Sequence, residues 1–401
     1  MKMSQQKKKI LFLGASYAQM PVIVEAKKRG YYICTCDYLP DNPGHRLADE
    51  YHNVSTTDYE GVLKLAERIQ PDQVVAYASD PSAPIAAYVA EKMGLPGNPY
   101  ASVQILGEKD LFRKYMLEHG FRSPQNLVFD CGTEVEELSG MLSLPAILKP
   151  TDSCGSKGVA LINSMDDLRQ AIPNAKAYSR NGRLILEEFI DNEGGDIHGD
   201  GFVLDGELVF HCLGDHLYNE VSNPFNPKGT TWPTTLTERS LREIVKDAAD
   251  IIRGCGFRNG PVNIEARVNS KGYSYVMEIG PRSGGFFVPQ AIYYASGFDM
   301  VAAILDSLEG KPISLPSGKI APTAYYAIHS SKNGRLKGIS LAESLAPYLI
   351  ESHYYKERGE EIIPYTGGNA AIGVLLLGFG YEDEMRKVMA DIDNLVRVEV
   401  E

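Results

Sequence analysis

Short apolar runs and amphipathic segments alternate along the first hundred residues. The runs ILFLG and YYICTC are typical of strands, and the amphipathic segment between them ends at Gly30. The segments Tyr59–Ile69 and Ala83–Met93 repeat the helical pattern on either side of the run QVVAYA. Because strands that alternate with helices usually form a parallel sheet covered on both faces, the pattern predicts an α/β unit over roughly residues 1–105.

Ligands tend to bind at the carboxyl ends of parallel strands, which nominates three loops of this unit. They are Ser16–Gln19, Asp37 and Ser79–Asp80. Helix capping and turn formation explain the same residue types equally well. The stretch GASYAQ keeps only the first glycine of the GxGxxG dinucleotide fingerprint, so it gives weak support for dinucleotide binding.

The pattern changes after a break rich in proline and glycine at LPGNP. A helix is predicted from Glu108 to His119, then strands at NLVFD, AIL, VALI and RLILEEFI, with a helix over Met165–Ile172. Asp205-Gly206 predicts a turn between two antiparallel strands. The second part of the chain is therefore predicted as α+β.

The remaining segments contain one irregular stretch and a final α/β unit. Residues Leu217–Thr235 hold three prolines and show no periodicity, which is typical of a lid or a substrate loop. Single helices are predicted over Leu241–Arg253 and Pro289–Leu308. The strand APTAYYAIHSS, a glycine-rich segment, and a last strand, helix and edge strand then complete the chain.

The stretch Asn263–Gly285 carries the clearest candidate chemistry. It reads as a hairpin that turns at NSKG, which brings Glu265 and Glu278 close together on neighbouring strands. Two facing carboxylates are costly without a cation, and Mg²⁺ prefers oxygen ligands. Arg282 follows, well placed to grip phosphate or carboxylate oxygens. The hairpin alone leaves a second interpretation open, namely a solvated sheet face that Arg282 neutralises.

A loop of small residues provides the second signal. The strand AIL leads to Lys149, and the loop at Ser153–Gly158 connects it to the strand VALI. Small residues let backbone N–H groups approach phosphate oxygens, and a lysine adds positive charge. This loop connects two strands, whereas the Walker A phosphate loop connects a strand to a helix, so the segment is not a Walker A motif. An ordinary mobile hairpin is the alternative interpretation of the same residues.

Charge and cysteine content exclude several classes of function. A net charge of −12 argues against nucleic acid or an anionic membrane as partner. No stretch is long and apolar enough for a membrane span. The six cysteines show no zinc-binding spacing, which indicates a reducing, cytoplasmic environment.

The order of the candidate elements along the chain resembles that of the ATP-grasp superfamily. These elements are Lys109, Lys149, the small-residue loop, the end of the strand that carries Glu187, and the hairpin with Glu265, Glu278 and Arg282. The resemblance covers essentially the whole chain. It is similar to carboxylate–amine ligases, phosphoribosylglycinamide synthetase and the carbamoyl-phosphate synthase large chain. It implies a Rossmann-like domain over 1–107, ATP-grasp subdomains over 108–190 and 191–312, and a C-terminal α/β extension over 313–401.

The resemblance also implies a role for each candidate residue. Glu265 and Glu278 would hold Mg²⁺ or Mn²⁺, and Arg282 would act in catalysis. Lys109 and Lys149 would contact the α- and β-phosphates of ATP, and the loop with Ser153, Gly155, Ser156 and Gly158 would close over them. Glu187 would lie near the exocyclic amine of adenine, and the backbone of Glu188 and Ile190 would meet the edge of the ring. Asp196 would contact the ribose.

Two positions depart from the family pattern. Asp196 stands where a ribose-binding glutamate is usual, which puts that contact in doubt. Gly280 stands where the motif E-x-N-x-R has asparagine, so one expected metal ligand is missing. The alternative interpretation of Glu187 and Glu188, an exposed sheet edge kept soluble by charge, is open on sequence alone.

The implied activity is an ATP-dependent ligase that activates a carboxylate as an acyl phosphate and joins it to an amine, releasing ADP and phosphate. The partners expected are small-molecule carboxylate and amine substrates, and the resemblance suggests a homodimer. The alternatives are a purine-pathway enzyme, either a phosphoribosylamine–glycine ligase or a carboxylase that forms carboxyphosphate, and a nucleotide-binding module without ligase activity.

Overall fold

The computed structural model describes residues 7–141, 143–219, 221 and 223–401. Its first sheet has the strand order β3-β2-β1-β4 and every pairing in it is parallel. Its elements are β1 (Lys9–Leu13), α1 (Met20–Lys28), β2 (Tyr32–Cys36), β3 (Glu50–His52), α2 (Tyr59–Ile69), β4 (Gln73–Val75) and α3 (Ala83–Met93). The predicted parallel α/β unit is confirmed.

The second sheet is antiparallel and has the order β5-β8-β6-β7. One face of this sheet packs against α6 around a small apolar core. The elements are α4 (Tyr100–Gly107), α5 (Lys109–Glu118), β5 (Asn126–Asp130), β6 (Ala146–Pro150), β7 (Ala160–Ile162), α6 (Met165–Tyr178) and β8 (Arg183–Glu188). Helix α4 was not predicted from the proline- and glycine-rich break, and it is held by packing of its buried Val103 and Leu106.

The third sheet is the largest and has the order β13-β12-β9-β10-β11-β14-β18-β16. Its pairings are antiparallel, and it forms the floor of the site described below. The elements are β9 (Gly195–Leu204), β10 (Glu207–Asn219), β11 (Asn223–Trp232), α7 (Glu238–Cys255), β12 (Gly260–Val268), β13 (Ser274–Gly280), α8 (Val288–Ser296), α9 (Met300–Leu308), β14 (Thr323–Ile328), β16 (Leu349–Tyr354) and β18 (Gly373–Gly378).

A small sheet of order β17-β15-β19 and two helices complete the chain. They are β15 (Gly334–Leu341), β17 (Glu361–Ile362), α10 (Glu382–Ala390), α11 (Ile392–Leu395) and β19 (Val396–Val400). Because β14 pairs with β11 and β18 with β14, the C-terminal part of the chain continues the third sheet.

The structure differs from the predicted secondary structure, or adds to it, in four places. The stretch Leu217–Thr235 belongs largely to β10 and β11, because pairing across a bulged ladder overrides its turn-forming residues; Glu220 and Ser222 lie outside the described residues. The helix predicted over Pro289–Leu308 is two helices, since Gly297 adopts a φ of 78° between them. The glycine-rich segment contains β15, β16 and β17, and α6 continues past Pro173.

Candidate active site

A cavity of about 740 Å³ lies among the three larger sheets. Loops 16–19 and 78–81 of the first sheet, the loop between β6 and β7, and strands β8, β9, β12 and β13 all contribute to its lining. Residues 355–371 of the C-terminal part close another side. The cavity therefore collects polar side chains that are far apart in the sequence.

One end of the cavity holds two facing carboxylates. The predicted register is confirmed, since Glu265 on β12 lies directly opposite Glu278 on β13. Lys109 Nζ lies 3.4 Å from Glu278 Oε2 and donates to the Ser153 carbonyl at 2.7 Å. Burial, Glu278 and the Asp196 carboxylate raise the pKa of Glu265 to about 7, although Arg282 and Lys109 oppose the shift. The negative charge at this end is thus incompletely neutralised by the protein.

Arg282 is held by a carboxylate from the first sheet. Its Nε and Nη2 donate to Asp80 Oδ1 and Oδ2 at 2.6 and 2.7 Å, and Nη1 donates to the Ser283 carbonyl at 3.1 Å. Burial alone would raise the pKa of Asp80, but the guanidinium of Arg282 lowers it overall. Asp80, which was nominated only as part of a loop, is therefore a direct neighbour of the candidate catalytic group.

The other end of the cavity is built around Glu187. This side chain is 1% exposed, and its oxygens accept from Arg113 Nε at 2.7 Å and Lys149 Nζ at 2.6 Å. Burial opposes its ionisation, yet these two cations lower the pKa of Glu187 to about 2. Glu187 thus fixes Lys149 in place, and its expected contact with the amine of adenine stays a prediction.

The small-residue loop turns back over the cavity between β6 and β7. Gly155, Ser156 and Gly158 have φ values of 64°, 58° and 74°, a conformation that glycine adopts most readily. Ser156 Oγ donates to the Phe225 carbonyl at 2.6 Å, which ties the loop to β11. Gly158 sits at the base of the loop, where a Cβ would lie 3.0 Å from Pro150 Cγ.

Asp196 is engaged by an arginine on the neighbouring strand. Arg267 Nη2 lies 2.7 Å from Asp196 Oδ2, and its Nη1 donates to the Ile190 carbonyl at 2.8 Å. Asn192 Nδ2 donates to the same carboxylate at 3.2 Å. Arg267 therefore links the predicted adenine segment to the predicted ribose-binding acid.

The structure brings the predicted site residues together around this cavity. The residues on its lining are Lys109, Lys149, Ser153, Gly155, Ser156, Glu187, Glu188, Ile190, Asp196, Glu265, Glu278 and Arg282. Gly158 instead packs against β6 and α6 behind the loop.

Residues 142–290 match the sequence profile described as ATP-grasp domain, and this stretch contains the loop, Glu187, Glu265, Glu278 and Arg282. The chain carries an ATP-grasp domain.

Proteins similar to this chain include several named ligases and transferases. The formate-dependent phosphoribosylglycinamide formyltransferase of Methanocaldococcus jannaschii is 29% identical over 191 residues, covering 46% of this chain and 48% of that protein. This chain thus aligns with about half of that relative. Alanine–anticapsin ligase of Bacillus subtilis is 24% identical over 338 residues, covering 77% of this chain and 71% of that protein.

The fold is also that of a solved ligase. The crystal structure of L-amino acid ligase from Bacillus licheniformis has a TM-score of 0.82 and 19% identity, covering 99% of this chain and 100% of that chain. At this identity the likeness concerns the fold alone. No helix in the described part of the chain is long and apolar enough to span a bilayer.

Several polar residues around the cavity were not predicted from the sequence. Arg113 lies one helical turn after Lys109 on α5, so helical spacing could have revealed it. On β9, His198 and Asp200 share the face of Asp196 by strand alternation. Both are buried, and the Asn263 amide donates to Asp200 Oδ1 at 2.7 Å and lies 3.0 Å from His198 Nε2.

This buried network has unusual protonation. Burial raises the pKa of Asp200 to about 6, although Gly284 N–H and Asn263 donate to it. Burial lowers the pKa of His198, and lowers that of His216 to about 3. His216 stacks on His198 with ring centroids 4.5 Å apart. The floor beside Glu265 therefore carries neutral imidazoles.

Proposed function

We propose that the protein is an ATP-dependent ligase that activates a carboxylate as an acyl phosphate and joins it to an amine. The observation that carries the proposal is the pair of facing carboxylates, Glu265 and Glu278, at the end of the cavity that also holds Lys109 and Arg282. Incompletely neutralised carboxylates beside cations form a site for a metal and the phosphates of a nucleotide.

The carboxylate pair fits Mg²⁺ or Mn²⁺. Its donors are oxygens, and burial together with the facing Glu278 carboxylate raises the pKa of Glu265, so a bound cation would stabilise its charged form. Glu265 and Glu278 would hold the ion, and Gly280 provides no further ligand. When bound, such an ion neutralises charge on the phosphates and on the transferred phosphoryl group.

ATP would lie along the cavity between its two ends. Lys109 and Lys149 would contact the α- and β-phosphates, and backbone N–H groups of the Ser153–Gly158 loop would close over them. The backbone of Glu188 and Ile190 would meet the edge of adenine, and Asp196 would face the ribose. In this arrangement Glu187 acts mainly by holding Lys149, since both its oxygens are engaged in ion pairs.

The reaction would proceed by two displacements. An oxygen of the substrate carboxylate attacks the γ-phosphorus, the bond to ADP breaks, and an acyl phosphate forms. The amine nitrogen then attacks the acyl carbon, loses a proton and displaces phosphate, leaving an amide. Arg282 would stabilise the negative charge of the acyl phosphate and of the tetrahedral oxyanion.

The cavity favours this reaction over one on a ribose phosphate. In the described residues, the first sheet contributes 16–19, Leu39 and 78–81 to the lining, and these positions include no arginine or lysine. A phosphate on the substrate would need cations there. The similarity to alanine–anticapsin ligase also supports amino acids as the first substrates to test.

The test is phosphate release from ATP in the presence of Mg²⁺ and pools of amino acids or small carboxylic acids. We expect release that depends on a carboxylate and an amine together, and its loss in Arg282→Ala with binding of MgADP retained. Nucleotide binding without release across broad pools would favour the module without ligase activity. A homodimer remains a prediction, which light scattering after size-exclusion chromatography checks.

A further inference from the structure

The guanidinium of Arg282 is oriented from the first sheet, across 202 positions of the sequence. Asp80 grips its Nε and Nη2 edge with two hydrogen bonds of 2.6 and 2.7 Å, and the Ser283 carbonyl accepts from Nη1. Of the five N–H donors of an arginine, these contacts engage three. The donors that remain belong to Nη1 and Nη2, so a ligand would meet the outer edge of the guanidinium.

A glycine makes room for this ion pair. A Cβ built on Gly280 would lie 3.2 Å from Asp80 Oδ1, 3.2 Å from Arg282 Cζ and 3.3 Å from Arg282 Nε. These contacts are tighter than ordinary packing, and both partners are held by their mutual hydrogen bonds. A Cβ at position 280 would therefore require Asp80 and Arg282 to shift by a few tenths of an ångström.

We propose that Asp80 is a positioning residue for Arg282 and that Gly280 provides the space in which the two meet. The proposal rests on the catalytic role of Arg282 in the proposed function. Gly280 offers no side chain as a metal ligand, but its lack of a side chain leaves room for the Asp80 carboxylate to hold the guanidinium of Arg282.

Charge balance alone does not explain Asp80. The same end of the cavity already contains Glu265 and Glu278 together with Lys109 and Arg282, so Asp80 is not needed to balance the charge of Arg282. A bidentate pair does supply orientation, because the planar fork of arginine allows little rotation once both hydrogen bonds form. The loop after β4 thus becomes part of the catalytic arrangement, beside the residues proposed to bind ATP.

The first experiment tests the pair without any substrate. Thermal unfolding of the full chain is compared for Asp80→Ala, Arg282→Ala and the double variant. We expect each single variant to lower the melting temperature, and the double variant to lower it by clearly less than the sum, because one partner alone leaves a charge unpaired. Additive losses would overturn the pairing. The exposed pair of Arg253 and Glu207 serves as a control, with Glu207→Gln expected to change little.

The second experiment tests positioning in turnover. Arg282→Ala is assayed for phosphate release with millimolar guanidinium chloride added, and so is Asp80→Ala/Arg282→Ala. We expect guanidinium to restore part of the activity only where Asp80 is present to hold it. Equal rescue in both variants, or rescue in neither, would reject the positioning role. If the wild-type protein releases no phosphate with any pool, the proposed function is wrong. Thermal unfolding of the two single variants and the double variant still tests the interaction of Asp80 with Arg282 in that case.

The third experiment tests the space at Gly280. We expect Gly280→Ala to lower kcat about tenfold to a hundredfold, the cost of a displacement below 1 Å, with the affinity for MgADP within about twofold. The loss should disappear in an Asp80→Ala background. Gly338→Ala, on β15 where a Cβ would meet nothing within 4 Å, is the matched control. Full activity of Gly280→Ala, or the same loss without Asp80, would contradict the proposal.

Discussion

Two glutamates on the lining of one cavity have opposite electrostatic surroundings. Glu187 lies between Arg113 and Lys149, and its pKa falls to about 2. Glu265 faces another carboxylate, and its pKa rises to about 7. Glu187 is paired with two cations of the protein, whereas in the described part of the chain only Glu278 of the second pair has a cation within 4 Å, namely Lys109.

The difference distinguishes residues that stabilise the structure of the site from residues that bind a ligand in it. An ion pair that is complete within the chain contributes order and position, and breaking it chiefly costs stability. Two facing carboxylates with one lysine nearby cost stability as they stand, and we explain them by what binds there. The predictions below test whether the two ends differ in this way.

The largest effect is expected from Glu265→Gln. The amide keeps the shape of the side chain but lacks the charge that holds a divalent ion, so we expect turnover to fall on the order of a hundredfold to a thousandfold. The measurement is phosphate release over a range of Mg²⁺ concentrations. Glu399→Gln, on the exposed β19, is the control and should behave as wild type.

Glu265→Gln should nevertheless not destabilise the protein in the absence of metal. Removing one of two facing charges relieves their repulsion, so the melting temperature without Mg²⁺ should be equal or higher. A marked loss of stability would mean that Glu265 is a structural residue like Glu187.

Glu187→Gln should give the reverse result. Loss of the charge leaves Arg113 and Lys149 without their shared partner in a buried place, a change that typically costs about 3–5 kcal/mol of unfolding free energy. Chemical denaturation measures the cost. Glu118→Gln, which breaks the exposed pair with Lys114 on α5, is the matched control and should cost below about 1 kcal/mol. A small loss in Glu187→Gln would remove the distinction between the two ends.

The two glutamates should also have opposite pH signatures. Because the folded pKa of Glu265 is raised from 4.5 to about 7, its favourable contribution is complete below pH 4.5 and is lost as the pH rises through about 7. For Glu187 the folded pKa is lowered to about 2, so its contribution is present above 4.5 and is lost as the pH falls through 2.

Mg²⁺ should therefore raise the melting temperature more at pH 8 than at pH 5.5, where protons compete for Glu265. Thermal unfolding in Mg²⁺ and in EDTA at both pH values measures the difference. It should vanish in Glu265→Gln and persist in the Glu399→Gln control. An equal effect of Mg²⁺ at both pH values would place the ion elsewhere.

The sequence allowed the end with Glu265 and Glu278 to be predicted better than the end with Glu187, for a physical reason. Glu265 and Glu278 belong to one hairpin, whose turn and alternation fix the register. Lys149 and Glu187 meet because β8 inserts beside β6 in the order β5-β8-β6-β7, which no local pattern specifies.

Long-range pairs were the main omission. Arg113 reaches Glu187 from a helix 74 positions away, and Asp80 reaches Arg282 across 202 positions. Such contacts depend on how the sheets pack, which periodicity within a segment does not encode. The bulged pairing of β10 with β11 was hidden for the same reason, since prolines and turn formers dominate the local sequence.

The smallest effect is expected at Asp196, which lies between the two ends. Its carboxylate raises the pKa of Glu265 and also pairs with Arg267, which holds the Ile190 carbonyl. If Asp196 also accepts from a ribose hydroxyl, wild-type protein should bind ATP about fivefold more tightly than 2′-deoxy-ATP, the value of one hydrogen bond of about 1 kcal/mol. Asp196→Ala should abolish that preference while kcat changes little. If Asp196→Ala still prefers ATP over 2′-deoxy-ATP, another group binds the ribose, and the role of Asp196 is to position Arg267.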